Sequence, residues 1–436
     1  MKTIFKLPGN FFFGNTMEIL HDPLHFCRKL SERSEDLVTC KVGGGSAIII
    51  LNPKYLKNIL IENNSNYIRT NFHKTVRNFL GNGLLTSEGQ YWQQQRKIIQ
   101  PSFHWQYLQK MVNVMKDETE TKIVRLKKSA DQIVNLSDTI TDVMFQIVLR
   151  TLFGVEPGSY DSKIAKPLDD IMHFFFRYTQ QKLKMPLWMP LPSHKLFKSS
   201  VTSLNEWVYK LIAERRKAPS PIPNLLDLLI NIEDKDTGIK MNDEQVRDEV
   251  MTLVMAGHDT TASALCWISW LLASHPDVQS SVRAELCASQ NVSATSQTEL
   301  RSVIQEAMRL YPPAWIFARQ AVNVDWLDGY EIPAKSHVII SPYIIHRLPG
   351  YWKDPEDFNP HRFHSNSPID KMAYIPFGAG PRVCVGNRYA QMQMEIFLTV
   401  LLTNMKLSLM EPHVEANPFG TLKPKGGLMM KLTSIG

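Results

Sequence analysis

The feature of this sequence that most constrains its fold is the segment FGAGPRVCVG, residues 377–386, which runs directly into the helical pattern NRYAQMQMEIFLTVLL. It places Cys384 just ahead of a predicted helix, where free backbone N–H groups and the helix dipole stabilise a thiolate, the form of cysteine that binds metals. We expect Gly378, Gly380 and Gly386 to adopt backbone conformations closed to other residues and to let the chain approach a flat cofactor. A lone cysteine before a helix is more often a buried structural residue. The spacing of the whole segment favours a metal ligand here.

A second feature is the apolar helical pattern of residues 250–273, whose centre is interrupted by the polar run GHDTT. Polar groups in the middle of an apolar helix are costly unless they are used. Ala256 and Thr260 are four residues apart, so two small side chains share one face and would let the helix pass close over a flat cofactor. The alternative is a kink in which Thr260 bonds back to the carbonyl four residues earlier.

Together these segments resemble motifs of the cytochrome P450 family: FxxGxRxCxG beginning at Phe377, and AGxDTT at residues 256–261. The resemblance covers nearly the whole chain. It implies a mainly α fold with a small β-sheet region, a helical haem-binding domain shaped as a triangular prism, of the bacterial soluble type without a fused reductase. It also implies that Cys384 binds the iron of haem b, that O2 is the co-substrate, and that Asp259 and Thr260 deliver the protons that dioxygen activation requires.

The segment VIQEAMRLYPP, residues 303–313, places Glu306 and Arg309 three residues apart on one helical face. Ordinary pairs at this spacing decorate surfaces and contribute a few tenths of a kcal/mol. This pair resembles the family's ExxR motif, whose charges are buried and joined by the arginine of a later FxPxRF segment, here Arg362. The resemblance assigns these three residues to folding and haem loading rather than to catalysis.

Haem also carries two carboxylates that need hydrogen-bond donors. Trp92 and Arg96 are four residues apart in YWQQQRKII, so an indole N–H and a guanidinium share one face, and they match the family's WxxxR helix. Arg382, two residues before the cysteine, and Arg319, in a predicted strand, would complete the clamp. Each arginine taken alone would more often be a solvated surface residue.

Apolar periodicity predicts a mainly helical chain that begins with a β-hairpin at residues 38–51. Strands are also expected at 315–323, 329–340 and 427–433. We interpret the Pro-rich stretch 185–194, the loop 218–223 and the Ser-rich stretch 289–297 as connections inside one domain that covers residues 1–436. Helices are predicted at 53–62, 88–100, 104–128, 135–153, 164–183, 195–216, 243–273, 276–288, 298–310 and 387–405.

The five cysteines form no CxxC pair, and the N-terminus has neither a spanning apolar run nor a signal-peptide pattern, so a cytoplasmic location is expected. No HExxH motif occurs. His258 lies near the predicted site, but Cys384 is the better ligand for iron. His361 and His364 have no evident third partner in the sequence, so a zinc site is not expected.

The net charge of +7 leaves open an acidic partner, while the absence of basic blocks and stacking motifs argues against nucleic acid. No ferredoxin-type cysteine run is present, so electrons are expected from a separate ferredoxin or flavodoxin with its reductase. No transmembrane segment is expected. Residues 185–192 are interpreted as a plain loop, with a peripheral membrane contact as the lesser alternative. The protein is expected to be a monomer. The basic residues expected on the docking face are Arg77, Lys97, Lys371, Arg382 and Arg388.

The residues predicted to line a substrate pocket are mostly large and apolar, which favours a lipophilic substrate such as a fatty acid or terpenoid. Two other functions remain open: a haem-thiolate isomerase, dehydratase or peroxygenase that needs no redox partner, and a non-enzymatic haem sensor. The intact Asp259 and Thr260 pair weighs against the first. The residues predicted to line the pocket are Phe79, Leu84, Leu85, Phe175, Met255, Ala256, Ile316, Phe317 and Met429.

Overall fold

The computed structural model describes residues 1–43, 45–70, 72–128, 131–156, 161–180, 185–218, 220, 224–232, 240–288, 298–364 and 369–435. Of these, residues 72–75, 161–163, 175–176, 179–180 and 298 are described by their backbone alone. Contacts divide the chain into two compact units. Unit 1 comprises residues 1–70, 120–140 and 260–436, and unit 2 comprises residues 71–119 and 141–259. A single domain over residues 1–436 stays a prediction.

Helices dominate the described residues, as the apolar repeat at three to four residues predicts. The longest is the 32-residue helix α12. Within the described part of the chain, no helix is both long and apolar enough to span a membrane. The α-helices are α1 Thr16–His21, α2 Pro23–Ser31, α3 Lys54–Lys57, α4 Phe72–Leu80, α5 Gly89–Ile99, α6 Trp105–Leu108, α7 Val112–Lys128, α8 Leu136–Phe153, α9 Asp161–Gln180, α10 Pro192–Lys217, α11 Leu225–Asn231, α12 Asp243–Ser274, α13 Pro276–Ala288, α14 Thr298–Leu310, α15 Pro342–Ile345 and α16 Asn387–Asn404.

Some helices differ from the predictions. Helix α10 begins at Pro192, inside the stretch predicted as a connection, because proline needs no hydrogen-bond partner for a backbone N–H in the first helical turn. The predicted helix 53–62 is α3 followed by a π-helical turn, Asn58–Glu62. Helices α1, α2, α4, α11 and α15 were not predicted. The Ser-rich stretch 289–297 and most of the loop 218–223 lie outside the described residues.

The sheets all lie in unit 1. The largest has six strands in the order β1-β2-β3-β9-β6-β4, and the predicted hairpin forms its antiparallel β2–β3 pair. A second sheet has the order β10-β13-β5, and β7–β8 and β11–β12 form two-stranded pairs. The strands are β1 Phe5–Lys6, β2 Leu37–Val42, β3 Gly45–Ile50, β4 Tyr67–Arg69, β5 Ile133–Asn135, β6 Phe317–Ala321, β7 Asp325–Leu327, β8 Tyr330–Ile332, β9 His337–Ile340, β10 Met405–Leu409, β11 Ala416–Asn417, β12 Lys423–Pro424 and β13 Met429–Ser434.

The core of unit 1 is built on the six-stranded sheet. Val38, Ile50 and Ile340 from its strands are fully buried, together with Leu56 of α3. Burying such a side chain contributes about 1.5–3 kcal/mol relative to leaving it exposed. The sheet therefore gives the segments around residue 380 a rigid support, since Leu60 of the adjoining π-helical turn belongs to the same core.

Candidate functional site

The turn that carries Cys384 is built by two glycines in left-handed conformations. Gly378 and Gly380 both have φ of +73°, as predicted, and a short 3₁₀ turn, Gly380–Arg382, follows. The backbone N–H of Cys384 donates to the carbonyl of Phe377 at 3.0 Å, which closes the turn. Gly386 departs from the prediction, because its φ of −90° is open to any residue and it serves as the N-cap of α16. Cys384 thus lies two residues before the cap of this helix.

Space around the two left-handed glycines is unequal. A Cβ atom on Gly380 would lie 1.8 Å from the carbonyl oxygen of Leu60, so the residue is required for close backbone packing. A Cβ atom on Gly378 would meet no atom within 4 Å. The turn therefore packs closely against the core at Gly380 and leaves open space at Gly378. Phe377 and Arg382 are both half-buried.

The five cysteines differ sharply in their environments. Burial raises the pKa of the Cys27 thiol to about 12 and that of Cys40 to about 11, which disfavours thiolate formation. Cys266 is buried and lies 3.5 Å from the hydroxyl of Ser137. Cys287 and Cys384 are exposed, and none of the five cysteines forms a disulfide. Cys287 belongs to the last turn of α13, where the helix dipole disfavours an anion, whereas Cys384 precedes the start of α16. An accessible sulfur beside a helix N-terminus and an open glycine fits a haem-iron ligand.

Three predicted structural charges meet in the interior of unit 1. Glu306 and Arg309 are both fully buried, and two of the Arg309 nitrogens donate to the Glu306 carboxylate at 2.7 and 2.9 Å. Arg362 donates from Nε to the same carboxylate at 3.0 Å. The backbone N–H of Asn359 adds a further bond to Glu306 Oε1 at 2.9 Å. One buried carboxylate therefore joins helix α14 to the 3₁₀ turn Pro360–Phe363.

Backbone carbonyls satisfy the remaining donors of Arg309. Its Nη1 donates to the carbonyls of His346 and Pro355, and its Nη2 donates to the carbonyl of Asp357 at 3.0 Å. Complete pairing is what makes a buried guanidinium tolerable.

His346 supports this group and was not predicted. Burial lowers its pKa to about 3, so the imidazole is neutral. Its Nε2 accepts from the N–H of Ile375 at 2.9 Å, which leaves Nδ1 to donate to the carbonyl of Arg309 at 3.1 Å. The sequence holds no signal for this role, because the two partners are 29 and 37 residues away.

The centre of α12 exposes the small face that the sequence predicts. Ala256 is exposed and Thr260 is half-buried, whereas most of the surrounding helix is buried. Asp259 is 8% exposed. His258 turns away into the core, where its Nδ1 contacts the carbonyl of Val254 at 2.7 Å.

Thr261, next to Thr260, donates to Oε1 of Gln393 at 3.1 Å. Both residues are buried, and Gln393 belongs to α16, the helix that follows Cys384. The hydrogen bond therefore fixes the polar centre of α12 against α16 within unit 1.

The predicted haem-carboxylate donors occupy three elements: α5, β6 and the 3₁₀ turn Gly380–Arg382, which carries Arg382. Trp92 and Arg96 both belong to α5; Trp92 is buried and Nε of Arg96 donates to Gln100 at 3.2 Å. Arg319 belongs to β6, pairs with Arg69 of β4 in register, and stacks 5.1 Å above the ring of Phe317. Its Nη1 donates to the carbonyl of Ala318 at 3.1 Å.

The residues predicted to line a substrate pocket differ in their exposure to solvent. Phe79 and Leu84 are buried, Met255 and Phe317 are half-buried, and the side chain of Phe175 lies outside the described part of the chain. Four are exposed: Ala256, Leu85 at 38%, Ile316 at 39% and Met429 at 47%.

A polar cluster in unit 2, missed by the sequence reasoning, holds the loop that carries Leu84. Asp248 of α12 accepts from the backbone N–H of Asn82 at 2.6 Å, and Glu249 accepts from the N–H of Leu84 at 3.0 Å. Burial and the neighbouring charge of Asp248 raise the pKa of Glu249 to about 8. Arg247 pairs with Asp248 at 2.8 Å. The run RDE in a helix has no local feature that reveals these contacts, since the loop is about 165 residues away.

The expectation that His361 and His364 lack a third partner is wrong. The structure brings Glu299, at the start of α14, to this pair, and ligand atoms of all three residues lie within 4.8 Å of one another. No motif connects residue 299 with the histidines, because the contact depends on how α14 packs against the turn.

Comparison with known proteins decides the family. The sequence profile of the cytochrome P450 family matches residues 6–432. The chain belongs to the cytochrome P450 family. This P450 is 32% identical to cytochrome P450 4V2 of Rattus norvegicus over 83% of its own length and 75% of that protein. It is 28% identical to cyclooctat-9-en-7-ol 5-monooxygenase of Streptomyces melanosporofaciens over 90% of its length and 87% of the relative.

The fold of the P450 agrees with a solved structure. The haem domain of cytochrome P450DA superposes with a TM-score of 0.89 at 24% identity, covering 99% of this chain and 97% of that one. This match confirms the predicted fold class, and the family profile together with relatives named as monooxygenases confirms the enzyme class, a cytochrome P450 monooxygenase. Membership implies a haem held by a cysteine thiolate, O2 as co-substrate, and the family's general use of redox partners and lipophilic substrates.

Proposed function

We propose that this P450 binds haem b through the thiolate of Cys384 and inserts one oxygen atom from O2 into a lipophilic substrate, using electrons from a separate redox partner. The observation that carries the proposal is the position of Cys384, an exposed cysteine just before the N-terminus of α16. The other exposed cysteine, Cys287, belongs to the last turn of a helix, and the remaining three are buried.

The bound haem supplies the activation of dioxygen, and the protein supplies position and protons. Within the proposal, Asp259 and Thr260 deliver protons, and the hydrogen bond from Thr261 to Gln393 holds the helix segment that carries Thr260. Glu306, Arg309 and Arg362 stabilise the fold around the cysteine turn. The other residues keep the roles that the family resemblance implies: Trp92, Arg96, Arg319 and Arg382 as donors to the haem carboxylates, and Ala256, Phe377, Gly378 and Gly386 as contacts of the haem.

We favour a terpenoid or a fatty acid as the substrate. The apolar character of the predicted pocket residues supports this class, as does the likeness to a Streptomyces monooxygenase named for cyclooctat-9-en-7-ol. A substrate-induced spectral shift screened over terpenoids, fatty acids and steroids tests it. A shift with steroids alone would contradict it.

The proposed electron donor is an acidic ferredoxin or flavodoxin with its reductase. Lys371 and Arg388 are exposed in the unit that contains Cys384, and the chain carries a net charge of +7. We further propose that the protein is a cytoplasmic monomer, and its five cysteines, none of them in a disulfide, support the cytoplasmic location. Charge reversal at Lys97 and Arg388 should slow reduction, most strongly at low salt. An unchanged rate would contradict this docking surface.

The test of iron ligation is the carbon monoxide difference spectrum of the reduced protein. The wild type and Cys287→Ser, which alters the other exposed cysteine, should both give the red-shifted Soret band of thiolate ligation. Cys384→His should lose that band while keeping bound haem with an imidazole spectrum. A wild type without the band, or a Cys384→His variant that retains it, overturns the proposal.

A further inference from the structure

A cluster of two imidazoles and a carboxylate lies on unit 1 and takes no part in the proposed function. The Nδ1 atoms of His361 and His364 are 3.1 Å apart, and their rings meet edge to face at an interplanar angle of 85°. Oε2 of Glu299 lies 3.5 Å from Nε2 of His364. His361 is exposed, whereas His364 and Glu299 are half-buried.

The two sides of the His364 ring face different surroundings. Its Nε2 is shielded from solvent and faces Glu299, so this nitrogen is positioned to carry the proton toward the carboxylate. Its Nδ1 then has a lone pair directed at the Nδ1 of His361. Histidines that bind metals commonly hold their second ring nitrogen against a carboxylate in this way.

The nitrogen separation suits a shared metal ion. Two nitrogens that bind one Zn²⁺ at about 2.0–2.1 Å lie about 3.3 Å apart when the angle at the metal is tetrahedral. The observed 3.1 Å needs an adjustment of a few tenths of an ångström only. Imidazole nitrogen is also a ligand that suits Cu²⁺ and Ni²⁺.

The backbone that presents the cluster is held rigidly on both sides. The turn Pro360–Phe363 begins with Pro360, which is buried, and the ring of Phe363 packs 5.1 Å from that of Tyr374. On the other side, the backbone N–H groups of Glu299 and Leu300 donate to the carboxylate of Glu285 at 3.0 and 3.1 Å. Rigid presentation lowers the cost of ordering ligands when a metal binds.

We infer that His361 and His364 bind a divalent transition metal through Nδ1, with Zn²⁺ as the representative ion, and that Glu299 is a positioning residue for His364. Water completes the coordination. Through the contact of His364 with Glu299, the site joins the turn that carries Arg362 to the start of α14, the helix that carries Glu306 and Arg309. The site therefore connects, at the surface, the turn and α14, the same two elements that the Glu306 carboxylate joins in the interior.

The experiment is calorimetric titration of the haem-loaded protein with zinc chloride, in parallel with thermal unfolding. The wild type should bind one equivalent more than His361→Ala/His364→Ala. Zinc at about 100 times its dissociation constant should raise the wild-type unfolding midpoint by about 3 °C and leave the double variant unshifted. Glu299→Ala should weaken binding by about 10–100-fold.

His21→Ala/His25→Ala is the matched control, because it removes two exposed histidines four residues apart outside the cluster. It should bind zinc as the wild type does. If the double variant of the cluster does not fold, His361→Ala alone serves, since that side chain is exposed. Equal zinc uptake by the wild type and the cluster variants, or loss of uptake in the control, overturns the inference, and neither result depends on catalytic activity.

Discussion

Glu249 offers the sharpest test of how burial controls stability in this P450. Its side chain in α12 is 1% exposed, and Oε2 accepts from the backbone N–H of Leu84. Oε1 is buried without a hydrogen-bond partner. Burial first, and then the charge of Asp248, raise the pKa to about 8 from an ordinary value of 4.5. The folded protein therefore binds this proton more tightly than the unfolded chain does.

The sign of the pH dependence follows from that difference. A carboxyl group whose pKa is raised on folding stabilises the folded state fully below its unfolded pKa, and this contribution is lost as the pH rises through the folded value. The window is about pH 4.5 to 8. At about 1.4 kcal/mol for each tenfold change in the protonation equilibrium, the loss above pH 8 is at most about 5 kcal/mol.

The perturbation is Glu249→Gln, which keeps an acceptor for the Leu84 N–H and removes the ionisable group. Near pH 5 the variant should match the wild type within about 1 kcal/mol, and near pH 9 it should be more stable by about 2–5 kcal/mol. Urea unfolding followed by circular dichroism at the two pH values measures this. Glu244→Gln, an exposed position on the same helix, is the control and should change nothing. A Glu249→Gln variant that keeps the wild-type pH profile, or is less stable at pH 9, refutes the reasoning.

Three further predictions concern the elements around the cysteine turn and α12. Glu306→Gln should cost about 3–5 kcal/mol in urea unfolding, because it leaves the buried guanidinium of Arg309 and the half-buried guanidinium of Arg362 without their carboxylate. Lys166→Met, at an exposed helix position, should cost at most about 0.5 kcal/mol, and equal losses would contradict the role of the buried carboxylate. Gly378→Ala should cost about 1–2 kcal/mol, because the left-handed backbone disfavours a Cβ atom. Gly380→Ala has the same φ of +73° and also a clash with a carbonyl oxygen, so it should lower stability and haem content further. Similar stability losses for the two variants would count against the packing described. Thr260→Ala should lower product formed per NAD(P)H consumed and raise peroxide release, whereas unchanged coupling would argue against proton delivery by this hydroxyl.

Prediction from the sequence was most successful where the determining interactions are local. The helix bounds follow from apolar residues repeating at three to four positions, so α5, α8, α12, α14 and α16 lie within a few residues of the predicted spans. Left-handed Gly378 and Gly380 were also expected, because a turn ahead of a helix needs such conformations. Helices α1 and α2 were missed, since they are short and precede the first strong periodic pattern.

The sequence by itself determined the family, the helical architecture and the turn around Cys384, because helix periodicity, glycine conformation and motif spacing act within a few residues along the chain. Only the tertiary structure decided which charges are buried and what they meet. Burial raises the pKa of Glu249, whose carboxylate meets the backbone of a loop about 165 residues away, and His346 becomes a neutral support between Arg309 and Ile375. Glu299 joins the two histidines only because α14 packs on the turn Pro360–Phe363. Burial and charge pairing depend on distance in space, and sequence separation does not report that distance.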